Sequence, residues 1–120
     1  MNEDLSKTEG NGGLRKRLDE AVVLVRTVEQ LRKDLREDGL QGPPVGDGAF
    51  EALRAQVLEV LGRREAEGPH AFGLVINRVD LTERQLRAAM AAGGLHALAG
   101  AVVLRCLQKV LSRMRYAGLA

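Results

Sequence analysis

The chain has 120 residues, a formal net charge of +2, 28% charged and 45% hydrophobic residues, enough for one modest core and too little for two ordinary domains. Its single cysteine excludes an intrachain disulfide, and one Tyr, two Phe and no Trp leave few ring faces for stacking unpaired bases. Charge is uneven: residues 69–120 hold seven basic and two acidic residues, a net of +5, while residues 1–68 hold eleven basic and fourteen acidic, a net of −3. Such asymmetry predicts either an acidic partner for the C-terminal half or attraction between the two halves.

Residues 1–13, MNEDLSKTEGNGG, are polar and without periodicity, and are expected to form a flexible tail. They lack the basic, apolar, small-residue order of a signal peptide, which makes a cytoplasmic location the expectation. Residues 14–120 are then a single helical domain.

Leu14, Leu18, Ala21, Val25, Val28 and Leu35 recur at alternating spacings of four and three, ending with a seven. That pattern predicts one long amphipathic helix over 14–38 with a coiled-coil-like seam, and these six residues are the expected homodimer interface. Arg32 stands where the next apolar residue of the seam should fall, and Val22, Val23, Leu24 and Leu31 widen the apolar surface. Residues 39–47 form a linker, because Pro43-Pro44 between Gly42 and Gly46 cannot continue a helix.

Phe50, Leu53, Val57, Val60 and Leu61 make one stripe of a helix over 48–64. Pro69 suits the first turn of the next helix. From there Phe72, Val75, Ile76 and Val79 repeat at i, i+3, i+4 and i+7, predicting helix over 69–78. The β-rich composition of Leu74–Ile76 leaves a strand paired between subunits as the alternative.

Thr82 and Gln85 form a capping box, opening a helix over 82–92 that Gly93-Gly94 should end. The last helix, 95–116, is apolar nearly all round from Leu95 to Leu104, which predicts a buried core helix. Ala97, Gly100 and Ala101 are small enough to admit a second helix closely. Arg105 and Lys109 interrupt the apolar run, so no membrane span is expected. Arg105, Lys109 and Arg113 share one stripe, which is the candidate contact for an anionic partner.

Chemistry-bearing residues are sparse. His70, His96 and Cys106 have no metal-site spacing, the glycines lack the ending of a phosphate loop, and neither serine sits in a nucleophile context. Neither a metal, a cofactor nor an enzymatic activity is expected. The residues predict an all-α, compact bundle of about five helices with a long amphipathic N-terminal helix and a buried C-terminal one. The function expected is a non-enzymatic interaction or assembly module acting through homodimerisation and helix-face contacts with an unidentified protein.

The alternative is a DNA-binding regulator. Segment 82–113, two helices about a Gly turn in the basic half, resembles a helix-turn-helix over about twenty residues. Against it, the second helix opens with Leu95, His96, Ala97 and Leu98, where a recognition helix presents side chains that read base edges. Nucleic acid is therefore the lesser expectation.

Overall fold

Helices account for all the regular structure of residues 8–118, the part of the chain that this computed structural model describes. In order they are α1 (Thr8–Lys16), a 3-10 turn (Arg17–Asp19), α2 (Ala21–Leu35), α3 (Ala49–Glu67), α4 (Pro69–Val79) and α5 (Glu83–Tyr116), with no strand among the described residues. They fold into a globule of 39 × 32 × 26 Å. The all-helical expectation holds, and the ambiguous segment 70–79 is helix.

The long helix expected over 14–38 is three pieces. Glu20 takes extended angles (φ −93°, ψ 121°) and ends the 3-10 turn, so α2 starts in a new orientation. The gain is burial. The break lets Leu18 reach the core (0% exposed) while α2 turns Val23, Leu24, Val28, Leu31 and Leu35 inward, which one unbroken stripe could not do for all of them. Helix α1 begins at Thr8, inside the expected tail, whose residues 1–7 lie outside the described part.

The six-residue seam therefore does not form one face. Leu18, Val28 and Leu35 are buried, Leu14 is half-buried, and Ala21 and Val25 are exposed. An interface of all six would require opening the core.

Helix α2 also stops earlier than Gly39. Arg36 takes the left-handed conformation (φ 54°, ψ 52°) and its amide donates to the carbonyls of Arg32 and Lys33. The connection to α3 folds back instead of pointing away. Leu40 is buried, its carbonyl accepts from Arg32 Nε and Nη2 at 2.9 and 2.6 Å, and Gln41 exchanges two backbone hydrogen bonds with the Gln56 side chain.

In α3 the predicted stripe is the buried one: Phe50, Leu53, Val57, Val60 and Leu61 all face inward. The capping box of α5 is formed, with Gln85 N donating to Thr82 Oγ1 and Thr82 N donating to Gln85 Oε1, both at 3.0 Å. Helical angles fail only at Gly93 (φ −171°, ψ 19°) and Gly94 (φ 67°, ψ −147°), the expected break.

Beyond that kink Leu98, Val102, Val103, Cys106, Leu107 and Val110 pack between α2 and α3. Before it Glu83–Gly93 has no fully buried residue. The expected buried C-terminal helix is thus only partly buried, along one face beyond the kink. By length and composition α5 could cross a membrane, with an apolar stretch of mean hydropathy 1.6, of which 44% is buried inside this fold.

The small-residue patch is occupied from within. A Cβ on Gly100 would lie 3.3 Å from Arg54 Nη1 and 3.6 Å from Phe50 Cζ, so α3, not another subunit, makes the close approach there.

Candidate functional site: the α2/α5 groove and its polar floor

The C-terminal ends of two helices meet the middle of α5, and this decides where its basic stripe points. A helix C-terminus leaves carbonyls without intrahelical partners and carries partial negative charge, so cations settle there. Arg78 Nε donates to the Asp34 carbonyl at 2.8 Å, and Arg64 Nη2 to the Leu35 carbonyl at 3.4 Å. Lys109 Nζ donates to the carbonyl of Arg78 at 3.0 Å, near the end of α4.

Asp34 is the hub. Only 5% exposed, its carboxylate accepts from Lys109 Nζ at 2.7 Å and from Cys106 Sγ at 3.5 Å on Oδ2, and from Gln30 Nε2 at 2.9 Å on Oδ1. Gln30 in turn accepts from Arg113 Nη2 at 2.6 Å. A continuous chain of hydrogen bonds, Lys109 to Asp34 to Gln30 to Arg113, thus fastens α2 to α5. Buried carboxylates survive when paired and saturated with donors, as this one is.

The expected anionic-partner stripe is thus already engaged within the fold at Arg105 and Lys109. Arg105 Nη2 lies 2.9 Å from Asp80 Oδ2 and its Nε donates to the Asp80 carbonyl. Lys109 is held by Asp34, and Arg113 by Gln30. Spacing placed the three residues on one helix face, but the sequence does not reveal that α2 and the end of α4 supply their partners. A phosphate backbone would have to displace the contacts of Arg105 and Lys109, whereas Arg113 meets the neutral Gln30 and keeps its charge.

Cys106 is fully buried. Burial first, and the neighbouring Asp34 carboxylate second, push its thiol far above the ordinary value, which is the opposite of a nucleophile's activation. His96 is exposed, with Nδ1 3.4 Å from Arg54 Nη1. Its neighbours form a separate surface cluster in which Arg15 stacks over the Phe50 ring at 4.1 Å and Arg54 at 5.1 Å. Glu51 sits among these cations, and its hydrogen bond from Arg54 keeps the carboxyl below its usual range. No group of three His, Cys, Asp or Glu able to hold a metal occurs among the described residues.

One concavity adjoins the polar chain. Between α2 and the end of α5 runs an open groove of ≈ 530 Å³, lined by Val22, Val25, Arg26, Glu29, Gln30, Lys33, Val110 and Arg113. Val22 and Val25 are 49% and 56% exposed. Of the residues expected at an interface only Val25 lines it. Val22, Arg26 and Lys33 were legible as a helical stripe (i, i+4, i+11), yet nothing in the sequence showed that this stripe faces outward.

Comparison of the chain with protein-family models, with curated proteins and with solved structures finds no match.

Proposed function

We propose that this chain is a non-enzymatic helical interaction module that docks a protein partner on the outward face of α2. The observation that carries the reading is the pair Val22 and Val25, about half exposed on the wall of a groove whose opposite wall is Val110 and Arg113. Two large apolar side chains side by side on a helix, rimmed by charge, have the composition of a small docking patch.

The size of the patch sets the kind of contact. Burying a Val fully is worth about 1.5–3 kcal/mol, so two half-exposed ones together supply about the same, roughly 1.5–3 kcal/mol, before the costs of association. That is too little for a permanent assembly. It suits a transient contact in which the rim contributes much of the affinity.

Self-association through the long seam loses its support, because Leu18, Val28 and Leu35 are core residues. The nucleic-acid reading loses two of its three phosphate contacts, Arg105 and Lys109, to internal ion pairs. Its would-be recognition helix also buries Leu98, Ala99, Val102 and Val103 in the core.

The test is site-specific photocrosslinking from position 22 in cells, with identification of the captured protein. One reproducible adduct, lost when Val25→Asp is added to a protein that still melts normally, is the expected result. An unchanged adduct pattern in that variant would remove the groove from the interaction.

A further inference from the structure

We propose that the α2/α5 groove is built for an acidic amphipathic helix, an inference that rests on the docking role and names its partner's chemistry. The groove is lined by three cations, Arg26, Lys33 and Arg113, against one carboxylate, Glu29, a local net of +2. Some cations elsewhere are ion-paired, Arg105 with Asp80, Lys109 with Asp34, Arg64 with Glu37 and Arg54 with Glu51. Others outside the groove, Lys16, Arg36, Arg84 and Arg115 among them, are in no ion pair among the described residues. Among the described residues no ion pair reaches Arg26, Lys33 or Arg113. Among the described residues the excess positive charge of this groove is paired by no carboxylate, and Val22 and Val25 on its apolar wall stay about half exposed.

Arg113 is more than a nearby charge. Its Nη2 is tied to Gln30 Oε1 at 2.6 Å, and Gln30 is tied through its amide nitrogen to Asp34, which Lys109 neutralises. This chain holds the guanidinium on the groove wall through Nη2, and among the described residues its Nε and Nη1 make no hydrogen bond. A planar guanidinium whose orientation is fixed in advance by buried neighbours is suited to grip a carboxylate. Gln30 and Asp34 act as positioning residues for it.

These features select among occupants. A second copy of the chain would bring its own +2 rim against the first, so the face repels itself. A basic helix is repelled more strongly. A helix with apolar residues at i, i+3, i+4 and i+7 and glutamates beside them meets both the valines and the cations.

The experiment uses a fluorescent synthetic helix of about four turns with a Leu stripe flanked by Glu, and its twin with Lys at every Glu. Anisotropy reads affinity, and amide shift mapping on the full chain reads the site. The acidic peptide is expected to move the amides of Val22, Val25 and Val110, to weaken as salt rises, and to lose about ten-fold affinity in Arg113→Ala. The double variant Arg26→Glu, Lys33→Glu, on exposed positions of α2, is expected to reverse the preference toward the Lys peptide.

Equal binding of both peptides to the wild type would overturn acidic selection while leaving the docking role intact. A dimer in sedimentation equilibrium that dissociates in Val25→Asp would assign the groove to a second copy and overturn it likewise. If neither peptide shifts the groove amides, the acidic-helix assignment falls, and the crosslink from position 22 decides alone whether the face docks anything.

Discussion

Lys109 Nζ lies 2.7 Å from Asp34 Oδ2, with side chains only 17% and 7% exposed. The pair joins α5 to the last turn of α2 across a sequence separation of 75, and Lys109 also reaches the carbonyl of Arg78. A partly desolvated pair of this kind is a weak source of net stability when intact. It is costly to break from one side, since the remaining charge is left without its partner.

Lys109 is thus not a surface residue whose loss is silent. Lys109→Ala should lower stability by about 3 kcal/mol, read as a shift in the urea midpoint. Arg105→Ala, which breaks a pair whose aspartate is 74% exposed, should cost under about 1 kcal/mol. Equal midpoint shifts for the two variants would mean that the Asp34 site is wet.

Leu98 and Val102 are both 0% exposed, on the part of α5 packed between α2 and α3. Leu98→Ala should cost about 2–5 kcal/mol, and Val102→Asp more, because it buries an unpaired carboxylate. A wild-type midpoint for Leu98→Ala in a urea melt would place the wrong face of α5 inside.

Two glycines should respond with opposite signs to the same substitution. Gly62 lies within α3 with nothing within 4 Å of an added Cβ, so Gly62→Ala should stabilise by about 0.5–1 kcal/mol. Gly94 stands at φ 67° and ψ −147°, a region open in effect to glycine alone, and Gly94→Ala should destabilise by about 1–3 kcal/mol. Thermal melts of the two variants check the pair of signs.

The Cys106 thiol should be inert in the folded protein. Burial, then the Asp34 carboxylate, raise its pKa from the ordinary 9.0, so the neutral thiol is the folded form. The stability this contributes is whole below pH 9.0 and drains as pH climbs above it, because the unfolded chain ionises first. A thiol reagent at pH 8 should react only at the rate of unfolding. Fast stoichiometric labelling of native protein would show an access path to Cys106 that this packing denies. A Cys106→Ala variant should lose that part of the alkaline decline in stability.

Duplex DNA should bind negligibly near physiological salt, because Arg105 and Lys109 already have Asp80 and Asp34 and only Arg113 of the three is in no ion pair among the described residues. A submicromolar complex whose log–log salt slope falls by about one unit for each of these residues removed would restore the regulator reading.

Much of the local architecture was legible because its causes are local. The apolar stripe of α3, the i, i+3, i+4, i+7 spacing that makes 70–79 a helix, the Thr82–Gln85 box and the Gly93-Gly94 break all follow from side-chain periodicity, capping and backbone freedom within a few residues. Where each face points was not legible in the same way. A single helix over 14–38 satisfied the periodicity, but the fold buries more apolar surface by breaking it at Glu20 and turning α2, which sends Leu18, Val28 and Leu35 inward and leaves Val22 and Val25 outside. The basic stripe of α5 likewise meant attraction to some negative group, and only the packing shows that Asp34, Asp80 and Gln30 meet it from within the chain. Periodicity reports that a helix has an apolar side and a charged side. Which partners those sides meet depends on contacts between residues tens of positions apart, and these exist only once the chain has closed on itself.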